Sequence, residues 1–243
     1  MKTKHFVAFL LMFLFSSSSL FAQLDKNETL VYKLIKEDKA KQLEKLMNED
    51  AEFKNYVLTY SSKTEKTYLE QAIDDCSLKI VALLTKHKSI LGDTKQYAED
   101  MYIADLSCYI KKDTKECLIP AFVHLVENDY IEITPTLLGK LNCYSDVLPE
   151  WYQIIQPVMK SLIKKGLNVE ESIISLEGEA TQNYLLALCN WEKEATKENY
   201  KAHKKAIRKY ILFLKEQGID FNTEIDDKKP IDVLSEEFQK KMK

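Results

Sequence analysis

Apolar residues return along this chain at spacings of three and four, the period of a helix that buries one face. The longest such stripe is Tyr200, Ile207, Tyr210, Ile211 and Leu214. Followed through the sequence, the pattern predicts helices in pairs. Thr29–Glu37 goes with Ala40–Asn48, Tyr68–Asp75 with Leu78–Lys86, and Met101–Lys111 with Ile119–Asn128. Leu137–Tyr144 goes with Glu150–Lys165, and Thr181–Trp191 with Tyr200–Gln217. A last helix starts at Pro230, a residue suited to a first helical turn, and runs through Ile231, Leu234 and Phe238. Pro157 falls inside an apolar helix and is expected to kink it.

The second helices close on a shared phrase. Leu-Ile-Lys-Lys-Gly-Leu-Asn-Val at 162–169 returns as Leu-Lys-Glu-Gln-Gly-Ile-Asp-Phe at 214–221. In each copy an apolar residue makes the last core contact, a stop stands four residues on, and an apolar residue seven on folds back over the helix end. Glycine suits the stop because it takes the left-handed conformation. The same spacing fits Leu46, Asp50 and Phe53, then Leu84, Lys88 and Leu91, then Val126, Tyr130 and Ile133. Successive copies lie 38, 42, 36 and 52 residues apart. A unit that recurs in this way predicts an all-α fold: an α-solenoid of about five degenerate helix pairs plus a terminal helix. Such stacks commonly bind other proteins.

Composition sharpens the fold class. The 243 residues include only 5 Gly and 5 Pro. Strands and turns consume glycine while helices do not, so the chain is expected to be almost wholly helical.

The N-terminus reads differently from the rest. Lys2, Lys4 and His5 precede the apolar run 6–15, a serine patch and Leu20-Phe21-Ala22-Gln23. This is the layout of a secretory signal peptide over residues 1–22. The apolar run is too short for a membrane span, which needs roughly 20 residues. Its Ser-Leu-Phe-Ala-Gln ending resembles signal peptides of the Bacteroidetes group of bacteria. The expectation is therefore a periplasmic or secreted protein, with 23–243 as one repeat domain and no membrane span left after cleavage. Cleavage takes away Lys2 and Lys4 and no acid, so 35 basic residues become 33 against 38 acidic, a net charge of −5. A mildly acidic chain with interleaved signs lacks the basic footprint that a nucleic-acid partner requires.

Within the pairs, residues 66–87 resemble an ankyrin repeat. Ankyrin units read Thr-Pro-Leu-His-x-Ala, a short turn, then Val-x-x-Leu-Leu. Here Ala72 matches the first helix, and Ile80, Val81, Leu83 and Leu84 the second. Gln-Gly-Ile-Asp-Phe-Asn at 217–222 is similar to the family's Gly-Ala-Asp-Val-Asn ending. Lys-Lys-Pro-Ile-Asp-Val-Leu at 228–234 is similar to its Lys-Thr-Pro-Leu-Asp-Val-Ala. The chain departs from the pattern where Tyr68 follows Thr67 and where every interval exceeds the family's period of about 33 residues. The resemblance implies a divergent ankyrin-repeat protein that presents a concave face and loop tips to a protein partner.

The residues offer little catalytic chemistry. His87, His124 and His203 stand alone, with no second histidine three or four residues away as a zinc motif requires. No phosphate-binding glycine loop and no Gly-x-Ser-x-Gly elbow is visible. No catalytic residue, metal ligand or cofactor is assigned. The chain has 5 cysteines, of which Cys76, Cys108, Cys143 and Cys189 each fall near the end of a first helix, where small half-buried residues suit a tight turn. An exported chain also forms disulfides, and the closeness of Cys108 and Cys117 makes them the expected pair. Carboxylates such as Glu37, four residues before Lys41, and Glu192 read as solvated helix faces. The basic stretch 201–209 reads as the solvent side of a long helix, with docking of an acidic partner as the alternative. Tyr109, Tyr144 and Trp191 sit at or just past first-helix ends and are the candidate binding anchors, since Tyr and Trp dominate interface hot spots.

The preferred reading is an exported, non-enzymatic, protein-binding scaffold. One alternative is a periplasmic inhibitor or immunity-type protein, which would present a patch shaped to plug a cleft. The other is an enzyme, which would show a deep pocket joining a histidine to a cysteine or carboxylate.

Overall fold

A computed structural model describes residues 26–59, 66–91, 114–142, 149–174, 181–195 and 201–242. The expected leader, 1–22, and the expected helix 101–111 lie outside them. The chain divides into two compact units, Met1–Gly92 and Asp93–Lys243. The described residues are mostly helical.

In the first unit, helix α1 spans 26–36 and is followed by α2 (Ala40–Glu49), α3 (Ala51–Thr59), α4 (Tyr68–Asp74) and α5 (Leu78–Lys86). The two predicted pairs are present, close to their expected bounds. Helix α3 was not expected. Asp50 closes α2 in an extended conformation (φ −138°), and its Oδ1 accepts the backbone N–H groups of Glu52 and Phe53 at 2.9 and 3.0 Å. One aspartate thus ends a helix and caps the next, and Phe53 is buried within α3 rather than folded over the end of α2.

Helix α4 begins at a reciprocal cap. The Glu70 N–H donates to Thr67 Oγ1 at 3.2 Å, and the Thr67 N–H donates to Glu70 Oε2 at 2.6 Å, which satisfies two otherwise orphaned donors. The two pairs of this unit are tied by Asp38, whose Oδ1 accepts from the N–H groups of Lys79 and Ile80 at the start of α5, both at 3.1 Å. Buried Ser77 donates from Oγ to the Ile35 carbonyl. Leu43, Leu69, Ile80 and Leu84 are fully buried around these ties.

In the second unit a π-helical turn, Thr114–Leu118, leads into α6 (Ile119–Glu127). Then come α7 (Leu137–Asn142), α8 (Trp151–Ile154) and α9 (Gln156–Lys164). The break between α8 and α9 falls at Ile155, two residues before Pro157. That is the expected kink, because the proline ring crowds the turn before it. Strands β1 (Ile173–Ile174) and β2 (Gln182–Asn183) pair antiparallel, with Ile173 opposite Asn183. Asn183 then caps α10 (Tyr184–Glu194), its Oδ1 accepting from Leu185 and Leu186 at 2.9 and 3.3 Å. This cap explains why the helix starts at 184 and not at Thr181. Helix α11 (Lys201–Glu216) packs against α10 and α8, and Tyr152 meets Tyr210 ring to ring at 5.5 Å. The expected last helix is two: α12 (Pro230–Val233) and α13 (Glu236–Met242), separated by an extended Leu234 (φ −61°, ψ 158°).

Six helix ends among the described residues close in one way. In each, a residue at positive φ donates to a carbonyl three residues back, and the next residue donates to a carbonyl five back. The left-handed residues are Asp38, Cys76, Lys88, Asp129, Gly166 and Gly218. The five-residue bonds run Lys39 to Leu34, Ser77 to Ala72, Ser89 to Leu84, Tyr130 to Leu125, Leu167 to Leu162 and Ile219 to Leu214, at 2.9 to 3.2 Å. Lys88, Gly166 and Gly218 are the stops the sequence predicts. In the Val126 copy the stop is Asp129, one residue before the expected Tyr130, and Ile131 is buried there in place of Ile133. Leu84, Leu162 and Leu214 are fully buried and Val126 nearly so, whereas Leu46 is half-buried.

Segments that follow these helices are bonded to their neighbours. In the first unit, Ile90 N–H, past the end of α5, donates to the Leu58 carbonyl of helix α3 at 2.9 Å. In the second, Ile173 N–H donates to the Pro135 carbonyl at 2.9 Å, and Asp220 N–H donates to Glu170 Oε1 at 3.1 Å. The last bond joins the second copy of the recurring phrase to the residue just after the first. In both copies the amide or acid turns back on its own backbone: Asn168 Oδ1 accepts from Glu170 N–H, and Asp220 Oδ1 accepts from Asn222 N–H.

Candidate functional site

After α11 the chain runs into a short finger, 221–230. Phe221 anchors its base in the core, and its carbonyl accepts from Ile231 N–H at 2.9 Å. At the tip Ile225 and Lys228 exchange two backbone bonds of 2.8 and 3.0 Å around Asp226 and Asp227, both left-handed at φ 50° and 58°. Two left-handed residues in a two-residue loop match the right-handed twist of the flanking backbone. Asparagine and glycine are the usual choice there; here two aspartates hold the turn and carry their charges outward.

The finger, the outer side of α10 and the start of α12 enclose a cleft of about 510 Å³. The cleft is lined by Asn190 and Lys193 of α10, Glu224, Asp227, Lys228 and Lys229 of the finger, and Asp232 of α12. All six charged residues are exposed. The ion pairs described in this unit are Lys165–Asp129, Lys204–Glu192, Arg208–Glu192, Arg208–Glu237 and Lys241–Glu237, and none includes a cleft side chain.

The residue before Lys193 on α10 does the opposite. Glu192, expected on a solvated face, is completely buried. Its Oε1 accepts from Arg208 Nε and from Ser235 Oγ, both at 2.8 Å, and its Oε2 accepts from Ser235 N–H at 2.9 Å. Lys204 Nζ lies 3.8 Å away. Burial pushes the Glu192 carboxyl up, but the bonds from Ser235 and Arg208 and the Lys204 charge outweigh it and hold the group below the usual carboxylate range. Arg208 continues to Glu237 at 3.0 Å and lies over the Phe238 ring at 5.1 Å. Two members of the basic stretch 201–209 are therefore turned inward, and the network pins the start of α13 to α10 and α11. Sequence reasoning missed it because the partners are 16 and 43 residues apart. The break at Ser235 was visible: a serine followed by Glu236 and Glu237 is a helix-start pattern.

A second recess of about 400 Å³ lies between α6 and α8–α9, lined by Ile119, Pro120, Val123, His124, Ile154 and Pro157 among others. His124 is thus a half-buried wall residue. His87 caps α5 where a cation was expected to be welcome, yet burial first, then Lys54 and Lys86, lower its pKa. Among the described residues no group of three or more His, Cys, Asp or Glu could hold a metal ion.

Of the anchor candidates, Trp191 is half-buried on α10, while Tyr109 and Tyr144 lie outside the described residues. Cys76 and Cys117 are each disulfide-bonded, and the expected partner Cys108 lies outside the described residues. Cys189 is a buried free thiol whose pKa is raised by burial and by Glu192. No helix among the described residues is long and apolar enough to cross a membrane. No protein-family model matches the chain, and no curated protein or solved structure matches it either.

Proposed function

We propose that this protein is an exported, non-enzymatic scaffold of ankyrin-like helix pairs that binds another protein through the cleft of the 221–230 finger. One observation carries the reading: in the second unit the segments that follow successive second helices are hydrogen-bonded to one another, Pro135 to Ile173 and Glu170 to Asp220. Side-by-side placement of equivalent segments is what stacking of a repeated unit requires. The finger and the first-helix face beside it are then the surface such a stack offers a partner. Disulfide bonds at Cys76 and Cys117 suit the oxidising compartment that the leader-like N-terminus implies.

A photo-crosslinking residue at Asn190, inside the cleft, tests the binding role in the native cell envelope. The same residue at Lys209, exposed on α11, serves as the control. A discrete adduct from position 190 and none from 209 is the expected outcome. Equal labelling from both positions, or turnover of a substrate abolished by one polar substitution that leaves the fold intact, overturns the proposal. N-terminal mass analysis of the native protein should find Gln23 first; a full-length cytoplasmic product ends the export reading.

A further inference from the structure

The finger cleft carries three cations and three anions on separate elements. Lys193 stands on α10, Asp232 on α12, and Glu224, Asp227, Lys228 and Lys229 on the finger. No ion pair described in this unit joins two of these side chains, and Lys229 acts on Asp220 outside the cleft. The two-bond tip and the Phe221 anchor hold the finger in place, and all six charged groups are exposed.

That arrangement constrains what can enter. A partner that excludes water from the cleft removes the solvation of all six groups, and each must then meet its opposite or be left buried and unpaired. A partner of a single sign would satisfy three groups and place like charge against the other three. A polyanion such as nucleic acid, or an anionic lipid surface, is therefore a poor occupant. The Asn190 carboxamide, which both donates and accepts, can meet a peptide backbone that passes between the charges.

We propose that the cleft takes an extended segment of a partner protein in which acidic and basic side chains alternate. This rests on the scaffold reading and adds the chemistry of what is bound. The acidic side chains of the segment meet Lys193, Lys228 and Lys229, and its basic side chains meet Glu224, Asp227 and Asp232.

Fluorescein-labelled peptides of alternating glutamate and lysine, of glutamate alone and of lysine alone test the proposal by anisotropy with the purified protein at low ionic strength. The alternating peptide should bind, and it should lose affinity as salt is added. Lys193→Glu and Asp232→Lys should each weaken it about fivefold. Both positions are exposed, and circular dichroism checks that the variants fold. Equal binding of all three peptides, binding of none, or indifference to both reversals overturns the proposal. If the charge rule fails while the adduct from position 190 persists, the scaffold reading stands alone; loss of both removes both.

Discussion

Replacing Glu192 by glutamine should loosen the last helix of the chain. The carboxylate receives three donors at 2.8 to 2.9 Å, from Arg208 Nε, Ser235 Oγ and Ser235 N–H. Glutamine keeps the shape but turns one acceptor into a donor. Ser235 Oγ can rotate to suit, but either the Ser235 N–H or the Arg208 Nε–H must then face an NH₂ group. A buried unsatisfied donor costs about 1–3 kcal/mol, and loss of charge beside a guanidinium that is 19% exposed adds to it. The expected total is about 2–3 kcal/mol. Glu192→Ala should cost about 3 kcal/mol, the low end for a broken buried pair, because Arg208 keeps Glu237 at 3.0 Å. In urea the midpoint should fall by about 1 M for Glu192→Gln. Hydrogen exchange should quicken first in Glu236–Met242.

The dependence on pH follows from the depressed pKa of Glu192. A carboxyl whose folded pKa lies below its unfolded value, about 4.3, contributes stability above that value. The contribution is lost as pH falls through the folded pKa. The gap between wild type and Glu192→Gln should therefore be full at neutral pH and close in acid, below about pH 4. A cost under about 0.5 kcal/mol, the range of an ordinary surface change, with exchange in the last helix unaltered, would refute the reasoning.

Gly139→Ala should cost about 1–3 kcal/mol of stability in a urea titration, because the new Cβ would stand 3.1 Å from the Ile173 carbonyl oxygen and 3.2 Å from Ile174 Cα, both backbone. Asp227→Gly, by relieving a left-handed φ of 58°, should raise stability by about 0.5 kcal/mol while weakening the alternating peptide, a split that melting and anisotropy measure on one sample. Cys189 should resist iodoacetamide at pH 8 in the native protein and react once unfolded, as mass spectrometry of the alkylated chain would report; its thiol is buried and its pKa raised.

Much of the local architecture could be read from the residues. Leu84 with Lys88, Leu162 with Gly166 and Leu214 with Gly218 hold the expected register because the buried residue and the stop are set within one helical turn. The mostly helical character follows from the same periodicity. What escaped depended on partners far along the chain, or on a residue serving two purposes. Asp50 looked like a stop and is also a start, so α3 went unread. Tyr130 has the right spacing, but Asp129 takes the left-handed place, where its short polar side chain is better tolerated. Ser172 and Pro135 supply the bonds that order β1 and β2 from 11 to 38 residues away. Glu192 looked solvated because nothing in its own turn forecasts Arg208 or Ser235. The cleft was legible only as a turn before Pro230; its charges were in view, but nothing in the sequence placed Lys193 beside the finger.

The network around Glu192 also bears on how the chain is made. Each left-handed helix end closes within six residues, so it can form as soon as its own segment is free, and contacts of that kind fold quickly. The bonds from Ser235 to Glu192 reach back across 43 residues and must wait until the final stretch has emerged. Until then α10 and α11 hold an acid and a guanidinium with half their partners missing. A copy broken off before Ser235 would therefore remain looser than a full one, and open to proteases. In this sense the buried acid distinguishes a chain that has reached Ser235 from one that has not.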